Sequence, residues 1–506
     1  MTGTVVDARG ETLAAPAQPV GWADEIVGAG IEGRLLDGSR RRFINLDNAA
    51  TTPALRAVQQ AVVDFLPWYS SVHRGAGLTS RLSTALFEQA RETVGSFLGV
   101  DDARQSVIFV KGATEGLNRA ARALDGTGAT VFTTLMEHHA NLLPWRAHAA
   151  TVRYIQTDDG GVIDEEDLER QLRVVATGPR LVAISGAYNV TGYSPPVHRL
   201  AALAHRHGAE ILVDGAQYVP HHPVDLHGHA PGEEIDYLVF SAHKAYAPFG
   251  TGALIAPRRA FCAVPDVVGG GAAAHVTFDD VAWADLPDRE EAGSPNVVGA
   301  VALAAALRRL EELGRAAVES YETGLTAYAL QRLGTIPGLT LLGPSRRRTA
   351  ILTFVLAGVP HELVAAMLSY EHGIGVRSGL FCAHQGMRRL LGAQLPAVEE
   401  APCASPATLG ATSGAVRASL GLYNTADDID ALVDALGRIA RDERAGAYAR
   451  DAAGDYRPAG WTNEEPTWVG QEALLSGRRT AGNLTPASCS DSSQSRVASA
   501  SLVAGL

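Results

Sequence analysis

Cysteine is scarce in this chain: four in 506 residues, at positions 262, 382, 403 and 489, with no CxxC pair and no framework spacing. That pattern excludes a disulfide-stapled secreted scaffold and structural zinc, and it fits a reducing compartment. Long apolar runs are missing too. The stretch 300–307 is far too short to cross a bilayer, and no basic-then-apolar leader opens the chain. The expectation is a cytoplasmic protein without membrane contact. Nor is positive charge gathered anywhere. The net charge is −12 and the pI about 5.7, and the triplets Arg40, Arg41, Arg42 and Arg346, Arg347, Arg348 are short and isolated. Nucleic-acid binding needs a basic stripe, so no nucleic-acid partner is expected. His221, His222, His227 and His229 crowd one segment, but no acid or cysteine stands beside them at helical ligand spacing. No metal is expected.

What the chain has is apolar material, 46% against 19% charged, enough for a sizeable core and two domains. Short apolar runs at 106–110, 130–134, 181–185, 209–213 and 237–240 read as buried strands. They alternate with helical stretches at 80–98, 164–174 and 196–207, a rhythm that predicts an α/β fold with a mostly parallel sheet. Residues 253–256 read as an antiparallel return strand. A smaller α+β domain follows a long helix at 297–313, with strands at 339–342, 350–356 and 373–376, helices at 360–371 and 426–441, and a strand from 416. Residues 392–415 read as a loop or lid. The expected divisions are a loose arm at 1–40, a large domain at 41–300, a small one at 301–445 and a disordered tail at 446–506, from which Trp461 and Trp468 could dock on the body.

Polar residues collect where the strands end. Asp214 closes one apolar run, and Ser241, His243 and Lys244 close another; the carboxyl ends of such strands are where open α/β sheets bind ligands. An acid and a lysine from adjacent strand ends suit pyridoxal phosphate (PLP), held covalently by the lysine while the acid keeps the ring nitrogen protonated. The plain alternative is an Asp214 that caps a turn and a solvated Lys244. Strand 106–110 runs into Lys111-Gly-Ala-Thr114 and a helix, an arrangement that offers backbone N–H groups and a helix dipole to a phosphate. It equally describes an ordinary helix cap. His138 follows the strand at 130–134, where a histidine is commonly structural.

The segments LDNAATTP, SSVHRGAG, KGATEGLN, MEHHANLLPW, YNVTG, VDGAQYVPHHPVDL, FSAHKAYAPFGTG, EAGSPN, VRSGLFCAH and VRASLGLYNT follow one another from 46 to 425. In this order they resemble the class V aminotransferases, PLP enzymes of fold type I with a seven-stranded sheet. The nearest branch in pattern is the Suf-type, or group II, cysteine desulfurases and selenocysteine lyases. The resemblance implies that Lys244 carries PLP, Asp214 meets the pyridine nitrogen, Gln217 the phenolic oxygen, and His138 stacks on the ring and moves protons. It makes Thr114, Ser241 and His243 phosphate ligands, and Ser294 a ligand to the neighbouring subunit's phosphate, hence a homodimer. Asn189, Arg377 and Arg417 would bind the substrate, and Cys382 would be the persulfide-forming nucleophile that delivers sulfur to an acceptor protein. Phe381 departs from the branch's usual histidine before the nucleophile, Ala113 replaces a common second threonine, and the span from Cys382 to Arg417 is longer than usual. Other enzymes of this scaffold, such as C–S lyases, aminotransferases or epimerases, would use Cys382 only as a small apolar residue. A non-catalytic binding protein would lack a bound, reducible cofactor.

If Lys244 is the PLP lysine, purified protein should absorb at the edge of the visible range and bleach with borohydride, leaving the adduct on the Lys244 peptide. An adduct on Lys111 instead would overturn the assignment.

Overall fold

Alternate residues of each central strand enter different cores, which is why those strands read as unbroken apolar runs. The computed structural model describes residues 15–261, 264–392, 414–451 and 454–462. Its main sheet has seven strands: β1 (Gln105–Val110), β2 (Thr130–Thr134), β3 (Thr151–Ile155), β4 (Arg180–Ser185), β5 (Glu210–Asp214), β6 (Tyr237–Ser241) and β7 (Gly252–Pro257). Their spatial order is β1-β7-β6-β5-β4-β2-β3. Strand β7 runs antiparallel to β1 and β6, as its sequence suggested, and the other neighbouring pairs are parallel. Val182, Ile184, Ile211, Val213 and Leu238 belong to one core, and Leu181, Ala183, Leu212 and Val239 to the other. A mostly parallel sheet covered by helices on both faces is the result.

Parallel alignment brings four strand ends to one edge: Thr134, Ser185, Asp214 and Ser241. Ser185 stands beside Asp214 in the ladder, and Asp214 beside Val239. A second, antiparallel sheet has the order β8-β9-β11-β10, from β8 (Leu339–Leu342), β9 (Ile351–Leu356), β10 (Arg377–Gly379) and β11 (Ala415–Ser419). Its register sets Arg377 directly opposite Arg417. Both sheets lie in one compact unit that ends at Trp461.

Three local expectations need correction. The supposed loose arm is fastened from residue 15 onward: Trp22 and Ile26 are buried, and Trp22 meets Tyr321 edge-on at 5.7 Å. The supposed disordered tail begins with an antiparallel ribbon, Tyr448–Arg450 with Tyr456–Pro458, while Trp461 docks on the body as expected, edge-on against Tyr370 at 5.2 Å. Trp468 lies outside the described residues, as do 393–413 in the proposed lid. After the turn that carries Cys382 the chain continues as a helix, His384–Leu391. The expected strand at 373–376 is only Ile374–Gly375, paired in parallel with Ile44–Asn45.

The helix Ala113–Arg122 packs on β6 and β7 at Gly116, where a Cβ would stand 2.4 Å from Val239 Cγ2. Gly116→Ala should therefore lift the start of that helix, at a cost of about 1–3 kcal/mol. A lower thermal midpoint and a smaller fraction of protein retaining PLP are expected. Unchanged cofactor retention would show that the helix start is not a cofactor contact.

Candidate active site

At the carboxyl edge of the main sheet the chain encloses a cavity of about 360 Å³. From the helix start and the strand ends, Thr114, His138, Asp214, Gln217, Ser241, His243 and Lys244 line it. From the other side come Asn189, Arg377, Cys382 and Arg417. Residues separated by some three hundred positions thus meet around one space. Ser294 does not join them. It is exposed and lines a different cavity with Ser70, His73 and Arg74.

Ser241 is placed by β6, and its Oγ accepts the Ala113 N–H at 2.8 Å. It caps a helix whose own N-cap, Gly112, has no side chain, and its hydroxyl hydrogen remains free to be donated. His243 is anchored through its backbone: its carbonyl accepts from the Thr52 N–H at 2.9 Å and from both Thr51 and Thr52 hydroxyls at 3.1 Å. Asp214 Oδ1 accepts the Ala216 N–H at 3.0 Å. Burial nonetheless raises its pKa, against the lowering effects of that bond and of Lys244. Burial also brings Lys244 down to about 8, opposed by the Asp214 charge. Lys244 and Lys111 are the only lysines in the sequence, and Lys111 is exposed. His138 is depressed to about 4 by burial and by Lys244. Its Nδ1 accepts the Ala140 N–H at 3.0 Å, so Nε2 carries the ring proton.

These residues fit PLP. Asp214 and Lys244 present an acid and an amine to one enclosed space, and Gln217 Oε1 and Asn189 Oδ1 are buried without a hydrogen-bond partner. Gln217 gives one Nε2 hydrogen to the Ala49 carbonyl at 2.6 Å and keeps the second. The cavity therefore offers buried polar groups that only a polar occupant would satisfy.

The cavity wall made by Arg377 and Arg417 is organised by a residue that sequence reasoning missed. Asp47 Oδ2 binds Arg377 Nη2 at 2.9 Å, and its Oδ1 lies 3.5 Å from Arg417 Nη2. Two arginines opposite one another in a ladder repel, and Asp47 offsets that. Burial still lowers Arg417 to about 10. Cys382 is exposed, and it and Phe381 both have left-handed backbones, φ 52° and 54°. Such positions cost roughly 1–2 kcal/mol each for non-glycine residues, and here two carbonyl bonds hold them. Asn189 Nδ2 donates to the Phe381 carbonyl at 2.7 Å, and the His139 N–H donates to the Cys382 carbonyl at 2.7 Å.

Glu137 was also missed, since an acid beside a histidine reads as solvated. It is fully buried and accepts from Thr134 Oγ1 at 2.9 Å, Asn141 Nδ2 at 2.8 Å and Ser185 Oγ at 2.6 Å. Burial pushes it up to about 7, against those three bonds and helped by the nearby Asp214. Between the unfolded value of 4.5 and about 7 the folded chain binds more protons than the unfolded one. Glu137 thus costs stability progressively as pH rises through that window, on the order of 3 kcal/mol above it. Glu137→Gln should gain stability relative to wild type from pH 4.5 to 7 and gain little more beyond. Urea midpoints at pH 5 and pH 8 test this, and an equal difference at both would contradict it.

The family model described as aminotransferase class-V matches residues 44–432. A probable cysteine desulfurase of Mycolicibacterium paratuberculosis is 36% identical over 416 residues, which are 79% of this chain and only 55% of that longer relative. A cysteine desulfurase of Klebsiella pneumoniae is 37% identical over 412 residues, 78% of this chain and 93% of the relative. Among solved structures, the apo cysteine desulfurase of Thermococcus onnurineus aligns with a TM-score of 0.70 at 29% identity, covering 79% of this chain and 95% of that one. The mostly parallel seven-stranded sheet is accordingly that of fold type I. With one family model spanning both sheets and the residues that line the cavity, this chain belongs to the class-V aminotransferases, whose cofactor is PLP.

Proposed function

We propose that this protein is a PLP-dependent cysteine desulfurase, converting L-cysteine to L-alanine and passing the sulfur through a persulfide on Cys382. The observation that carries the reading is a single cavity lined by an amine (Lys244), a buried acid (Asp214), a carboxylate clamp and an exposed thiol. When bound, PLP supplies an electron sink for charge that develops at the substrate α-carbon. Lys244 holds the cofactor covalently, and Asp214 pairs with its ring nitrogen. Thr114, Ser241 and His243 take the phosphate, and Gln217 takes the phenolic oxygen.

Arg417 and Asn189 bind the substrate carboxylate, for which a guanidinium offers two parallel N–H donors; Arg377 closes the wall beside them. An amine with a pKa of about 8 gives and takes a proton near neutral pH, so Lys244 is suited to move the α-proton. His138, which lines the same cavity, would stack on the cofactor ring and assist proton movement from Nε2. The Cys382 thiolate then attacks the substrate sulfur. A sulfur–sulfur bond forms, the substrate's carbon–sulfur bond breaks, and its electron pair stays on the carbon, which takes up a proton to become alanine. An exposed Cys382 can present the persulfide to a sulfur-acceptor protein in a reducing cytoplasm.

Ser294 supports a homodimer. Its hydroxyl is exposed and outside its own chain's cavity, where a second copy could receive it at that copy's phosphate site.

Cys382→Ala should keep the PLP spectrum and still bind cysteine, while losing alanine and sulfide production by orders of magnitude. Cys403→Ala serves as a control with little expected change. Alanine release at the wild-type rate by Cys382→Ala would rule out the persulfide route and favour a C–S lyase or aminotransferase on this scaffold.

A further inference from the structure

Phe381, directly before Cys382, is tied to both members of the carboxylate clamp. Its ring faces the guanidinium of Arg417, with Cζ 5.0 Å from the ring centroid. Its carbonyl accepts from Asn189 Nδ2 at 2.7 Å. Arg417 Nη1 in turn donates to the Asn189 carbonyl at 2.9 Å, which closes a triangle of three residues from three segments. Arg417 is 3% exposed, and its Nε has no hydrogen-bond partner. Around this desolvated cation Asp47 is 3.5 Å away and shared with Arg377. The aromatic face is therefore one of its few favourable neighbours, and cation–π attraction is strongest when the cation is out of water.

We propose that Phe381 is a positioning residue: its ring on Arg417 registers the Cys382 loop against the carboxylate clamp, so the thiol's placement and the clamp's orientation are set together. This rests on the reading of Arg417 and Asn189 as the clamp and of Cys382 as the nucleophile. The alternative is that Phe381 acts only as apolar filling, since it also packs against the small core cluster that contains Val190 and Met387. Leucine would keep most of that filling and lose the π face, whereas tyrosine would keep both.

The experiment uses the holoenzyme. Alkylation of Cys382 by iodoacetamide, followed on its own peptide by mass spectrometry, reports how firmly the loop is held without requiring turnover. Phe381→Leu should raise that rate about three- to tenfold and raise KM for cysteine by a similar factor, with kcat changing less. Phe381→Tyr should restore both to wild type. A leucine variant that leaves either readout at the wild-type value, or a tyrosine variant no better than leucine, overturns the proposal. Because alkylation needs no catalysis, failure of the persulfide reading, seen as alanine release by Cys382→Ala, would be distinguishable from failure of this one.

Discussion

Holding ionisable groups out of water at one sheet edge is the constraint around which the rest of this molecule is arranged. Glu137, Asp214 and Arg417 are 0%, 5% and 3% exposed, and a buried charge costs several kcal/mol unless it is paired and hydrogen-bonded. Glu137 receives three side-chain donors. Asp214 has one backbone N–H and the opposing charge of Lys244. Arg417 has a backbone carbonyl, a distant carboxylate and a ring face. Beside the cavity that compensation is incomplete. Gln217 Oε1, Asn189 Oδ1 and Arg417 Nε are left without hydrogen-bond partners, and all three belong to residues that line the same space. Unsatisfied polar atoms clustered on one wall mark where a polar ligand completes the structure.

Asparagine 189 shows how tightly that compensation is shared. Its carbonyl serves Arg417 and its amide nitrogen serves the Phe381 carbonyl, so one residue supports both the clamp and the strained turn that carries the thiol. The left-handed pair at 381 and 382 is then held from two directions, by Asn189 and by the His139 N–H. His139 follows His138, which lines the same cavity as Asn189. The cysteine turn is thereby fastened to two walls of that cavity, at Asn189 and next to His138.

The main sheet was legible because strands buried on both faces leave unbroken apolar runs, and because each of those runs ends in polar residues that parallel packing must bring to one edge. The same logic identified Asp214, Ser241 and Lys244 as neighbours. It could not place Cys382 or Arg417 beside them, since no local spacing links a strand end at 214 to one at 417; the order of motifs along the chain did that. Glu137 and Asp47 stayed hidden for a different reason. An acid in a turn reads as solvated unless its partners, here Ser185 and the two arginines, are known. Residues 15–40, 448–451 and 454–461 lack periodicity, and what fastens them includes contacts distant in sequence, such as Trp22 on Tyr321, Glu25 on Arg309 and Trp461 on Tyr370. Tertiary contacts of that kind override a weak local pattern.

One short segment joins both halves of the site. Between residues 47 and 52, Asp47 steadies the arginines of the second sheet, and the Asn48 amide donates to the Ser419 carbonyl at 2.9 Å and to Asn424 at 3.2 Å. The Ala49 N–H donates to Ser419 Oγ at 2.8 Å while its carbonyl accepts Gln217, and Thr51 and Thr52 bind the carbonyl of His243. Gln217 and His243 at the edge of the main sheet, and Arg377, Arg417 and Ser419 of the second sheet, are thus fixed to the same six positions. Backbone groups do much of this work, so the constraint falls on the path of the chain as much as on side-chain identity. A shift of this segment by one residue would move Asp47 off the arginines and Ala49 off Gln217 at once. The spacing between the strand end that carries Lys244 and the arginines of the second sheet is therefore set by a strap that neither sheet contains.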